Sequence, residues 1–206
     1  MSLRLAKQSA KALCLLVLVI NFGCGKFANR AVPTLTLFKV KSPDSLPEFP
    51  ASAQPVNLGS LSVRAVPLLT DEETQELFEA NLQLAGVLPV RLEMTHNSGD
   101  LVELKKIKFR LQDESAAQWK SISAKQAVSR ILRVNGVFAY NPHARKTFDE
   151  DVRSYEFNLK TPLTHQERRR QGLIFFVTAD KQPVSSPHGL MLEIEGLSQP
   201  VSLKLQ

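Results

Sequence analysis

Polar and apolar residues alternate over much of the chain. Residues 58–68 (LGSLSVRAVPL) place Leu61, Val63 and Ala65 on one side. Residues 87–97 alternate more clearly, with Val90, Leu92 and Met94 inward and Arg91 and Glu93 outward. After an Asn-Ser-Gly-Asp turn, Leu101–Leu111 returns with Ile107, Phe109 and Leu111 facing in and Lys106, Lys108 and Arg110 facing out. Two alternating runs around such a turn predict a hairpin, because Asn and Gly tolerate positive φ. Further strands are expected at Ser154–Leu159, with Tyr155, Phe157 and Leu159 on one face, and at Leu190–Glu195 and Val201–Leu205. Gly172–Thr178 (GLIFFVT) has little alternation, which fits a central strand covered on both faces or one whose second face meets a helix.

The spacing predicts two helices. Residues 70–81 begin with Thr70 three before Glu73, a capping box, and Asp71, Glu72 and Glu73 complement the helix dipole. Residues 123–134 begin with Ser123 and Gln126 in the same arrangement, carry Ala127, Val128, Ile131 and Leu132 on one face, and stop at Asn135-Gly136. The expected fold is mainly β: an antiparallel, immunoglobulin-like β-sandwich of about seven strands with two short helices.

The first 23 residues differ from the rest. Arg4, Lys7 and Lys11, with no acid, precede an apolar run from Ala12 to Phe22. That run is about half of the roughly 20 residues a spanning helix needs, and the layout is that of a secretory signal peptide. Cys24 follows Asn21-Phe22-Gly23. The segment resembles the lipobox of bacterial lipoproteins, although Asn21 stands where Leu is usual and Phe22 where Ala or Ser is usual. The resemblance implies cleavage before Cys24, lipid attachment there, and a membrane-anchored envelope protein. Gly25, in place of Asp, implies sorting to the outer membrane, facing the periplasm. Cys14 would leave with the signal, so the mature chain would hold one thiol and no internal disulfide. Pro33, Pro43, Pro47, Pro50 and Pro55 make residues 24–56 read as an extended tether, although Thr34–Val40 alternates as an added edge strand would. The compact domain is expected over residues 57–206.

Charge narrows the partners. The chain carries a formal +6, but without residues 1–23 it has 23 Lys+Arg against 20 Asp+Glu, or +3. That is too mild for a nucleic-acid surface. Nucleophile-elbow, phosphate-loop, dinucleotide, zinc-protease and EF-hand motifs do not occur. No cofactor or metal is expected; the H-x-E of His165 and Glu167 reads as a polar turn, and His96 as a hydrogen-bonded histidine at the edge of the core. Two regions stand out as interaction candidates. Arg168, Arg169 and Arg170 form the densest charge, suited to lipid headgroups, phosphate or an acidic partner, or simply to a solvated turn. Residues 136–151 read as a loop holding Tyr140, His143, Phe148 and Asp149-Glu150-Asp151. Such a loop suits recognition, or pins itself to the core by its aromatics. The reading is a non-catalytic envelope lipoprotein whose domain binds or supports another envelope protein. The alternative is a small-molecule binder or enzyme using residues 136–151, with His143 and the acids as acid–base groups.

Overall fold

The computed structural model describes residues 37–99, 101–178, 180–185 and 187–205. The expected export signal, Cys24 and the start of the alternating run at Thr34 lie outside them. Among the described residues, eight antiparallel strands and three α-helices make up the fold, in the order β1 (Val56–Leu58), β2 (Leu61–Pro67), α1 (Asp71–Phe78), β3 (Val87–His96), β4 (Lys108–Gln112), β5 (Gln118–Ile122), α2 (Ala124–Val134), α3 (Pro142–Ser154), β6 (Arg169–Val177), β7 (Met191–Glu195) and β8 (Val201–Lys204). The strands form one sheet, ordered β1-β2-β3-β6-β5-β4-β7-β8. It is nearly closed and barrel-like, in place of the expected two-sheet sandwich. Its two edges meet at a cleft lined by Val56 and Ala65 on one side and Ser202 and Lys204 on the other.

Alternation along the strands creates two cores. Leu61 and Val63, then Val90, Leu92 and Met94, then Phe109 and Leu111, then Leu192 and Ile194 point into the curled sheet. Those inward positions agree with the sequence pattern. The opposite face of β3 and β6, with Val87, Leu173 and Phe175, packs on the helices through Phe78, Ile131, Phe148 and Val152. β6 is thus covered on both faces, which is why it lacks alternation. Each fully buried large apolar side chain contributes roughly 1.5–3 kcal/mol.

α1 and α2 start where expected, each with both arms of its capping box formed. α1 ends early, at a left-handed Glu79 (φ 50°). Gln83 fixes its start: its amide donates to the carbonyls of Leu68 and Thr70 and accepts from the Thr74 hydroxyl.

Several expectations change. Most of residues 136–151 is helix, not loop: Asn141 caps α3 and Pro142 occupies its first turn, a pairing that favours a helix start. Asn97-Ser98-Gly99 does not close a hairpin. β3 already has β2 and β6 as neighbours, and the chain crosses to pair β4 with β5 and β7. Ser154–Leu159 is not a strand either: Tyr155 packs in the helix-side core and Phe157 in the sheet interior. The strand at 118–122, around Trp119, was not signalled by alternation. β4 is flanked on both sides, so Lys108 and Arg110 do not guard an edge.

The proline-rich stretch is a strap from residue 37 onward, in the same compact unit as the sheet. Leu37, Phe38, Val40 and Leu46 pack on the helix-side core. The Lys41 amide donates to the Leu77 carbonyl at 2.9 Å, and the Tyr155 hydroxyl contacts the carbonyls of Lys41 and Ser42 at 2.9 and 3.0 Å. The Phe38 ring meets that of Phe148 at 5.2 Å. Beyond a turn at Pro43–Ser45, the strap carries Phe49 over the outer face of the sheet.

Candidate functional site

Where the strap crosses the sheet, β2, β3 and β6 gather charged side chains on their outer face. The register dictates the grouping. Arg64 lies opposite Glu93, and Glu93 lies opposite Gln171. Arg91 pairs with Leu173 and Arg169 with Thr95, so each is a diagonal neighbour of its partner across the ladder. Glu93 accepts from the Arg64 Nε at 2.8 Å and from the Arg169 Nε at 2.6 Å. The Arg91 guanidinium donates to Gln171 Oε1 at 2.9 Å. Its Nε has no hydrogen-bond partner among the described residues.

Phe49 completes the group. The guanidinium carbons of Arg64 and Arg91 lie 4.2 and 4.1 Å from its ring centroid, within cation–π range. Arg91 is 5% exposed although it points away from the sheet interior. Burial pushes its pKa below the ordinary arginine value; Glu93 opposes this, and the Arg64 and Arg169 charges add to it. A cavity of about 350 Å³ opens here, lined by Leu46, Glu48, Phe49, Arg64, Arg91, Arg169 and Gln171.

The sequence candidates separate. Arg169 belongs to this site. Arg168 is exposed, its Nε donating to the His165 carbonyl at 3.3 Å. Arg170 is 6% exposed and caged: it contacts both Glu167 oxygens and the carbonyls of Asn158, Thr161 and Pro162. The hydrogen bond from Arg170 holds the Glu167 carboxyl below its usual range, against a smaller effect of burial. Phe148 is buried at 1% exposure and pins α3 to the core. Tyr140 is exposed beneath the Arg145 guanidinium, 5.6 Å from its ring centroid.

His143 is exposed in the first turn of α3. Helical rise sets it about 9 to 12 Å along the axis from Asp149, Glu150 and Asp151, beyond hydrogen-bond reach. Asp149 pairs with Arg145 at 3.0 Å. The acid–base grouping expected of a loop is therefore not assembled. Burial and then the Glu150 charge raise the Asp151 pKa. His96 is buried, with its ring 5.2 Å from that of His165. No group of three or more His, Cys, Asp or Glu side chains among the described residues is placed to hold a metal. No helix among them is long and apolar enough to cross a membrane.

A second, more open cleft of about 540 Å³ lies beside Asp113, Trp119, Asp180 and His188. Burial alone would raise the Asp113 carboxyl, but hydrogen bonds from Ser115, Trp119 and Ala117 outweigh it and hold the group below its usual value. Those bonds close the β4–β5 turn, so Asp113 is engaged in structure.

Comparison with protein-family models, with curated proteins and with solved structures finds no match. Sequence reasoning missed Arg64, Arg91, Glu93, Gln171 and Phe49. The outward side of Arg91 and Glu93 was legible from alternation. Their grouping with Arg64, Arg169 and Gln171 was not, because it depends on which strands pair and in what register.

Proposed function

We propose that this protein is a non-catalytic, lipid-anchored component of the bacterial cell envelope. It is held at Cys24, faces the periplasm from the outer membrane, and binds another envelope component through the outer face of its sheet. The observation that supports the binding role is where the polar groups lie. The inside of the curled sheet is filled by Leu, Ile, Val, Met and Phe side chains. Arg64, Arg91 and Arg169 gather outside it, at a cavity. The anchor rests on the sequence from Arg4 to Cys24.

The test is the intact mass of the full chain extracted from membranes, beside Cys24→Ala. The expected mass lacks residues 1–23 and carries acyl chains, and both changes are lost in the variant. A full-length mass with unmodified Cys24 overturns the anchor. A photo-crosslinker at Glu48, exposed at the rim of the cavity, should give an envelope adduct that one at the exposed Lys125 on α2 does not. Equal labelling from both positions would remove the assigned face.

A further inference from the structure

Three guanidiniums share too little negative charge at the sheet's outer face. Arg64 and Arg169 both pair with Glu93, the one buried carboxylate there among the described residues. Among the described residues Arg91 has no ion pair and keeps an unbonded Nε, although it is 5% exposed. A buried cation lacking an anion is costly, and such groups are normally paired. Glu48, at the rim of the cavity, is exposed. Counting it, the three arginines still exceed the acids by one; without it, by two.

We propose that this cavity binds a phosphate group, held by Arg64, Arg91 and Arg169. The proposal deepens the binding role above by naming the chemistry that the outer face recognises. The arrangement of the guanidiniums favours phosphate over carboxylate, and the cavity and Phe49 leave room for what carries it. The guanidiniums arrive from three different strands. A carboxylate has two coplanar oxygens and is satisfied by one guanidinium fork, whereas a phosphate offers oxygens in several directions. The cavity of about 350 Å³ compares with about 30 Å³ for one water molecule in the liquid, leaving space for what the phosphate is attached to. Phe49 forms an apolar wall, its ring centroid 4.2 and 4.1 Å from the guanidinium carbons of Arg64 and Arg91.

The experiment is calorimetric titration of the full chain in detergent, at fixed ionic strength, with two probes. Inorganic phosphate represents a soluble source. Glycerophosphoglycerol, the headgroup of an anionic phospholipid without its chains, represents a lipid source. Saturable binding is expected. Tighter binding of the diester assigns a lipid headgroup; tighter binding of inorganic phosphate assigns a soluble phosphate. Arg169→Gln should weaken binding about tenfold or more, the scale of a lost charge-assisted hydrogen bond. Its side chain is 58% exposed and Arg64 still pairs with Glu93, so the variant should fold. Arg91→Met should abolish binding, and its folding is checked by thermal unfolding. Arg168→Gln, outside the cavity, should bind as the parent does. No saturable binding by the parent chain overturns the proposal. So does equal weakening by Arg168→Gln and Arg169→Gln, which would mark diffuse attraction. The crosslinking comparison and the intact mass do not depend on phosphate, so the site can fail while the wider role stands.

Discussion

Arg170 and Arg169 are neighbours in sequence with opposite fates. Successive strand residues face opposite sides, so Arg169 joins the outer cluster while Arg170 turns under residues 158–167. There it satisfies three backbone carbonyls and Glu167 at once. Arg170→Met should cost about 3–5 kcal/mol, the scale for breaking one side of a buried charged network, read by denaturant unfolding. The pH dependence follows in sign. Glu167 has a lowered folded pKa, so its contribution is fully present above the unfolded carboxylate value and lost as pH falls through the folded value. Arg170→Met should flatten that acid-side loss; an unchanged slope would break the link to Glu167. Gly172 shows a different constraint. A Cβ there would lie 2.7 Å from the Phe157 Cα and 2.8 Å from its amide nitrogen. Gly172→Ala should therefore destabilise by about 1–3 kcal/mol, because backbone has to move. The glycine of GLIFFVT was visible in sequence; the segment crossing it was not.

Among the elements, the strap and α3 depart most from the sequence pattern. Asn141→Ala should cost α3 about 1 kcal/mol through its lost cap, seen in thermal unfolding. The strap is fastened to α3's end by Tyr155, whose hydroxyl reaches two strap carbonyls. Burial, then the Asp44 charge, pushes that hydroxyl up to about 12. The raised value means its contribution is intact below the unfolded tyrosine value of about 10 and lost as pH rises through the folded one. Tyr155→Phe should lower stability by about 1 kcal/mol at neutral pH and speed hydrogen exchange at the Lys41 amide. Exchange there that matches the parent would mean the apolar contacts of Leu37 and Phe38 hold the strap alone. Proline content pointed to an extended tether. It carried no information on whether that chain would lie against something.

For the whole molecule, the strap decides where the domain starts. A chain beginning at Thr34 should keep the parent's melting temperature. One beginning at Asn57 should melt lower, since it uncovers apolar surface beneath Leu37, Phe38 and Leu46, worth roughly 1.5–3 kcal/mol per large side chain. Equal melting temperatures would show that the strap is bound but carries no stability. The sequence by itself determined the mainly β character, the inward residues of β2, β3, β4 and β7, and both capping-box helix starts. Each of those is settled within a few neighbouring residues, by period-two alternation or by one side chain reaching the nearest amide. Tertiary structure alone decided the single barrel-like sheet, the strap and the arginine cluster. β3 pairs with β6 across some eighty residues, as the Arg91–Gln171 hydrogen bond records, with a separation of 80. Alternation says which side of a strand a residue faces, but not which strand lies beside it. Arg91 was therefore legible as outward, and its burial beneath Phe49 became visible only once distant segments had packed.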